Sequence, residues 1–424
     1  MTTVKREDRL SKAKSFEIPK RLIWEAWKRV AANKGAPGVD KESIIAYQSN
    51  LGDNLFVLWN RMSSGSYHPK AVKQVLIPKG DGSDRPLGIP TVTDRIAQTA
   101  VKMVLEPRLE ALFHSSSFGY RPGKGAIDAV RQARKHCWEN DWVVDLDIRS
   151  FFDSIDHDLM MRAVEKHVPE TWMKLYIRRW LKNTIELKDG QTITCLMGTP
   201  QGAVISPLLA NLYLHYAFDA WMQRQHSGIS FERYADDIVC HCQSKQQAKC
   251  LLAEVAERLI QCKLELHPKK TRIVYCKDGK RRGSYINMRF DFLGFSFHAR
   301  TVQDNQGQLF TGFNPGVSRK ALKRMNLAIK NLNFKRNTQF TLEDIAQRLN
   351  PMVRGWIAYY GKFYPEPLKR FLVRIELRLG SWARNKYKRL RRHKRRSWTW
   401  LKRCRALSPS LFVHWHYLFS NDHE

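Results

Sequence analysis

Apolar positions recur at helical spacing through the first part of the chain. Across 18–33, Leu22, Ile23, Trp27 and Val30 share one face, and Asn33-Lys34-Gly35-Ala36-Pro37-Gly38 stops the run. A second amphipathic stretch covers 51–62. Positions 72–77 alternate as a strand does and lead into the turn cluster Pro78-Lys79-Gly80-Asp81-Gly82-Ser83. Helices are predicted over 93–113 and 126–139. The middle alternates short strands with helices. The pattern predicts a strand over 142–147, a helix capped by Asp156, and an apolar helix over 208–221 behind the Gly/Pro loop 198–207. Two apolar runs, 231–234 and 238–242, read as a hairpin, followed by a helix over 245–261. Strand-like pieces follow at 264–266 and 272–275, and 292–297 reads as a short buried hairpin. Beyond 300 the character changes to three successive helices, over 318–331, 341–360 and 367–389. The fold class this predicts is α/β in the α+β sense.

Composition bounds the partners. With 43% hydrophobic and 27% charged residues among 424, the chain can bury real cores and is not mostly disordered. Its apolar runs fall short of the roughly 18 residues needed to span a bilayer. The first twenty residues put no apolar core behind their charges, so neither a secretory signal nor a membrane partner is expected. The 73 Lys and Arg exceed the 40 Asp and Glu by 33. So large an excess destabilises a compact chain unless a polyanion relieves it, and nucleic acid is the leading candidate. The charge is uneven: from Leu377 to Ser420 there is no acid, and Trp398 and Trp400 stand among dense Lys and Arg. None of the eight cysteines forms a Cys-x-x-Cys pair, so reduced, packed thiols of a cytoplasmic protein are expected rather than zinc ligands.

The candidate chemistry is carboxylate chemistry. Tyr234-Ala235-Asp236-Asp237 sets two adjacent acids at a tight hairpin, where each raises the other's pKa unless a cation intervenes. Val143-Val144-Asp145-Leu146-Asp147-Ile148 is a second acid-bearing strand, and alternation puts Asp145 and Asp147 on one face. Facing one another, the two segments would form a cradle of hard oxygen ligands suited to Mg²⁺. Two such ions can support an in-line phosphoryl displacement with no His base and no Ser or Cys nucleophile.

The ordered motifs resemble the reverse transcriptases encoded by bacterial group II introns. Asn33 to Asp40 looks like that family's N-terminal extension, and Ile77-Pro78-Lys79 through Arg85-Pro86-Leu87-Gly88-Ile89-Pro90-Thr91 like its fingertip hairpin. Ser117 to Gly123, Asp145 to Asp153, Gly198-Thr199-Pro200-Gln201-Gly202 and Ser206 to Asn211 follow in order. The acidic hairpin, His267-Pro268-Lys269-Lys270-Thr271 and Phe292-Leu293-Gly294-Phe295 complete the set. Asn350 to Tyr360 contains the Arg-Gly-Trp-x-x-Tyr-Tyr run of the family's thumb, or maturase, region.

The resemblance implies a right-hand polymerase: fingers with the N-terminal extension over 1–140, an antiparallel-sheet palm over 141–300 and a helical thumb over 301–424. It implies Asp147, Asp236 and Asp237 as metal ligands, with the Ile148 carbonyl helping, and two Mg²⁺ ions that Mn²⁺ could replace. Asp145 then has a structural role. Lys79 and Arg85 are expected on the incoming triphosphate, and Gln201 and Gly202 along the template and nascent base pair. Phe152 is expected to exclude a ribose 2′-hydroxyl while Phe151 faces the core. Lys270 is expected to protonate the leaving pyrophosphate, although Lys269 is adjacent. The implied partners are an RNA template, a DNA or RNA primer, dNTPs and group II intron RNA. No HNH nuclease constellation of Cys pairs and His is found, so second-strand cleavage is not expected. Two other readings share these motifs: a chain that mainly aids splicing by binding RNA, and a host-adopted relative in DNA repair or phage defence. An RNA-dependent RNA polymerase is disfavoured by Phe152.

Overall fold

The computed structural model describes residues 15–78, 84–303 and 306–419, and the chain divides into two compact units. The first unit comprises residues 1–129 and 144–272, the second 130–143 and 273–424.

The first unit opens with α1 (Lys20–Ala32), α2 (Ile44–Ser49) and α3 (Leu51–Ser64). Helix α1 buries Ile23, Ala26, Trp27 and Val30, the stripe its spacing predicts. β1 (Val72–Pro78) pairs antiparallel with β2 (Asp84–Ile89). Lys79 and the rest of the connecting turn lie outside the described residues. Next come α4 (Val92–Glu110) and α5 (Ala126–Glu139), of which residues 130–139 count with the second unit. The Thr91 hydroxyl caps α4, accepting from Asp94 N at 3.1 Å.

β3 (Trp142–Asp147) leads through α6 (Phe151–Ser154) to α7 (His157–His167), where Asp156 is the cap: its carboxylate accepts from Leu159 N at 2.9 Å. α8 (Thr171–Leu181), β4 (Thr184–Glu186) and β5 (Thr192–Thr194) fill a stretch to which the pattern assigned nothing. The short strands join the first hairpin in the order β2-β1-β4-β5.

The apolar helix expected over 208–221 is interrupted. α9 (Ser206–Leu214) passes into a π-helical turn at His215–Asp219 before α10 (Ala220–Gln225). The wider turn carries Asp219 inward, to zero exposure. β6 (Phe231–Tyr234) and β7 (Asp237–Cys242) form the expected hairpin, with Tyr234 opposite Asp237, and α11 (Lys245–Gln261) follows. Strands β6, β7 and β3 lie side by side in that order, and β8 (Arg272–Tyr275) comes next in the chain. The piece at 264–266 is no strand; it contributes one bridge, Ile148 to Leu266.

The second unit carries a three-stranded sheet of β9 (Arg289–Phe292), β10 (Phe295–Gln303) and β11 (Leu309–Val317), in the order β11-β10-β9. Phe290 stacks on Phe297 with ring centroids 4.6 Å apart. Its helices are α12 (Arg319–Asn331), α13 (Leu342–Tyr360), α14 (Glu366–Lys386), α15 (Lys394–Leu407) and α16 (Val413–Phe419). The last two exceed the three-helix expectation. A buried Glu376 carboxylate fastens α16 to α14, accepting from His414 Nε2 at 2.7 Å and Trp415 Nε1 at 2.6 Å. The Leu293–Gly294 turn packs on α13. Tyr359 Oη donates to Leu293 O at 2.9 Å, and a Cβ at Gly294 would stand 2.7 Å from Tyr360 Oη. Gly294 also has φ 81°, so the backbone here already favours glycine inside this unit. No described helix is long and apolar enough to cross a membrane.

Candidate active site

β3 is buried along its length until its acids, which emerge half-exposed at the strand end. Asp145 and Asp147 share a face, as alternation requires, yet meet different cations. Asp145 Oδ2 accepts from Arg272 Nε at 3.0 Å. Both Asp147 oxygens receive Lys270 Nζ, at 3.1 and 3.2 Å. A tight turn brings the lysine there: Lys270 N and Thr271 N both donate to His267 O, at 3.2 and 3.0 Å. Of the two adjacent lysines, Lys270 is thus the one set on Asp147. The Ile148–Leu266 bridge is held by His267 N to Asp147 O at 2.7 Å and Arg149 N to Glu265 O at 2.8 Å. Neither bond uses the Ile148 carbonyl.

The other two acids stand at the β6–β7 turn. Ala235 has φ 56°, a left-handed conformation uncommon for a residue with a side chain. Gly119 supports it from behind. A Cβ there would lie 2.5 Å from Ala235 N and 3.0 Å from Tyr234 C, so only glycine lets the two backbones meet. Asp237 keeps an open face to solvent while protein is dense around it. Loss of hydration pushes its carboxyl up to about 7, and the charges of Asp236, Asp147 and Asp145 add to this. The Asp236 carboxyl is raised chiefly by desolvation and also by Asp147, while Arg85 and Lys270 oppose the shift. The Asp147 charge therefore reaches both acids of the turn, and that of Asp236 reaches Asp237. Oxygen donors in that state suit a hard divalent cation, and in this structure the Lys270 ammonium already lies across one of them.

Sequence reasoning missed what holds this turn. Arg233 is wholly buried, and its guanidinium forks onto Asp219, with Nε to Oδ1 at 2.7 Å and Nη2 to Oδ2 at 2.5 Å. Its Nη1 donates to Asn211 Oδ1 at 3.0 Å and to Ala235 O at 3.3 Å. Asn211 passes the link on, donating Nδ2 to Gly119 O at 2.7 Å. One arginine thereby ties the π-helical turn, α9, the Gly119 turn and the acidic turn together. The only hint in the sequence is an arginine inside an apolar strand, which must find a partner if buried.

Arg85 and Gln201 come together: Arg85 Nε donates to Gln201 Oε1 at 2.6 Å, and Gly88 N to Gln201 O at 2.6 Å. The 198–206 loop is thereby strapped to β2. Its other side is fixed where Gln98 Oε1 accepts from Val204 N at 2.8 Å and Thr199 N donates to Phe152 O at 2.8 Å. Gly202 lies on this loop with φ 110°. Phe151 and Phe152 are both buried and pack edge to face at 5.4 Å, so exposure alone does not separate a gate from a core residue.

Comparison with known proteins places these elements. The family model for reverse transcriptase (RNA-dependent DNA polymerase) matches residues 77–297, and that for the group II intron maturase-specific domain matches 322–400. Protein YkfC of Escherichia coli (strain K12) is 31% identical over 313 residues, covering 62% of this chain and 82% of YkfC. The group II intron-encoded protein LtrA of Lactococcus lactis subsp. cremoris is 32% identical over 197 residues, 46% of this chain but only 32% of LtrA. A telomerase structure from Candida albicans covers 81% of this chain at 11% identity, with a TM-score of 0.47.

Proposed function

The chain belongs to the reverse transcriptase family and carries the group II intron maturase domain behind its polymerase region, and from that membership we propose that its acidic cleft adds dNTPs to a primer 3′-hydroxyl with two Mg²⁺ ions. The family gives the coarser facts: a right-hand polymerase fold, RNA-directed DNA synthesis, divalent-metal use and RNA binding. The observation that carries the finer reading is that the Asp147 charge reaches both acids of the Asp236–Asp237 turn and raises their carboxyls.

Asp147, Asp236 and Asp237 would hold the ions, with the Ile148 carbonyl as a further oxygen donor. When bound, the ions supply charge that favours the attacking oxygen and steadies the leaving one. The protein's own part is positioning. The primer 3′-hydroxyl gives its proton to solvent and its oxygen bonds to the α-phosphorus as the bond to the pyrophosphate oxygen breaks. Lys270 would give its proton to that pyrophosphate once it leaves Asp147. Arg85, with Lys79, would fork onto the triphosphate, exchanging its bond to Gln201 for charged oxygens. Gln201 and Gly202 would then face the template. The partition into fingers over 1–140, palm over 141–300 and thumb over 301–424 belongs to this proposal, as do group II intron RNA as a partner and a cytoplasmic location.

Two outcomes test individual roles. A Phe152→Val chain should lose discrimination against ribonucleotides by about ten-fold or more, the scale on which filling or emptying a pocket changes selectivity. Single-nucleotide incorporation with matched rNTP and dNTP reads it, and an unchanged ratio removes Phe152 as the gate. A Lys270→Ala chain should bind Mg²⁺ more tightly, since it loses a competing cation. The gain is at most about five-fold, because an ion pair this exposed is worth no more than about 1 kcal/mol. Calorimetric titration with Mg²⁺ reads it, and weaker binding would mean that Lys270 is no stand-in counter-ion.

A further inference from the structure

The second unit contains a groove of about 740 Å³, lined by the end of α12 and its following loop, by α14 and by the start of α15. The volume is that of a small-molecule site. All its lining residues fall between Ile329 and Trp398, inside the stretch that matches the maturase-specific domain. Its floor is apolar: Ile329 and Phe334 are buried, and Leu377 is 53% exposed. Six Lys and Arg side chains line it and no acid does.

Two of those cations are held in place by neutral groups. Arg378 Nη2 donates to Asn326 Oδ1 at 3.0 Å, and Arg384 Nη1 to Ser397 Oγ at 2.8 Å. These bonds fix the guanidinium planes without cancelling their charge, so an anion can still be taken. The two tryptophans of the basic segment differ. Trp400, itself half-exposed, packs against other rings, 5.1 Å from Tyr387 and 6.3 Å from Trp382. Trp398 lines the groove half-exposed, and among the described residues no aromatic ring packs on it.

We propose that this groove holds an unpaired nucleotide of a bound single strand, its base on Trp398 above Leu377 and its flanking phosphates on Arg378 and Arg384. An indole beside fixed guanidinium groups is the arrangement that stacks a base and tracks a backbone. A duplex does not fit the same features, because its base faces are covered by their neighbours and only its phosphates would reach the rim. The proposal rests on the reading of this region as nucleic-acid-binding and adds which part of the strand it takes.

Fluorescence anisotropy on the full chain tests it, with labelled oligouridylate, oligothymidylate and a blunt hairpin duplex, the single strands about ten nucleotides long. Trp398→Ala should weaken single-strand binding about ten-fold and duplex binding by less than about two-fold, with Trp398→Phe recovering most of the loss. Arg378→Gln should lower the salt slope for the single strand by about one. The thermal midpoint of each variant is recorded, and an unchanged midpoint with a selective loss supports the site. The RNA and DNA arms show which single strand supplies the nucleotide. No loss on either single strand, or equal loss on strand and duplex, overturns it. Primer extension by the unaltered chain is run alongside. If extension proceeds and the groove variants show no effect, the groove alone fails; if extension is absent, the polymerase reading fails independently.

Discussion

An Asp236→Ala chain is expected to lose nucleotide addition by about a thousand-fold or more while RNA binding stays within about two-fold. The asymmetry follows from where the residue sits. Asp236 is at the tip of the β6–β7 turn, beside Asp147 and far in type from the basic surface that would hold nucleic acid. Removing it deletes one oxygen donor from the cradle and relieves repulsion among the acids that remain. The variant should therefore fold as well as the parent or slightly better. Primer extension with electrophoretic readout, alongside filter binding of the same RNA, separates the two effects. A variant that binds RNA but extends at the parental rate would remove Asp236 from the chemistry.

An Arg233→Met chain should be destabilised by about 3–5 kcal/mol, because Asp219 is then left charged, buried and without its forked partner. For a unit of this size the thermal midpoint should fall by about 10 °C. Arg233→Met with Asp219→Leu should recover much of the midpoint, since two apolar groups replace two opposed charges. It should not recover full activity. The guanidinium also donates to Ala235 O and reaches Gly119 through Asn211, so without it the acidic turn loses its backing. Circular dichroism melts and extension rates on the three chains decide the matter. A double variant with the parental midpoint and the parental rate would show that the network serves stability alone.

The parts of this protein legible in its sequence are those whose signal is local. Helix α5, strand β3 and the β6–β7 hairpin follow from spacing, alternation and a two-residue turn, and their bounds agree with the pattern to within a residue. Asp156 announces its helix because a cap needs only the next three residues. The acids proposed to hold metal are visible for the same reason, as polar breaks at the ends of apolar strands. What pattern reading cannot reach is pairing at a distance. Residues 208–221 look like one apolar helix, and nothing local says that a π-helical turn will aim Asp219 at Arg233, fourteen residues on. β4 and β5 are three residues each, too short for alternation to register. Lys270 and Lys269 are equal in sequence, and only the His267 turn decides which one meets Asp147. Trp398 and Trp400 are likewise equal until packing sets one beside Tyr387 and Trp382 and the other in a groove.

The basic excess of 33 charges and the small acidic cluster are two halves of one account, in which a cationic surface gathers nucleic acid around a site that needs metal. That account is tested most directly by extending a DNA primer on an RNA template with labelled dNTPs and Mg²⁺, comparing the parent chain with Asp147→Ala. The parent should yield labelled product that DNase removes and RNase does not, and that EDTA prevents. The Asp147→Ala chain should yield none above background. Equal product from both chains, or product that forms in EDTA, would contradict the assignment of the chemistry to this cleft.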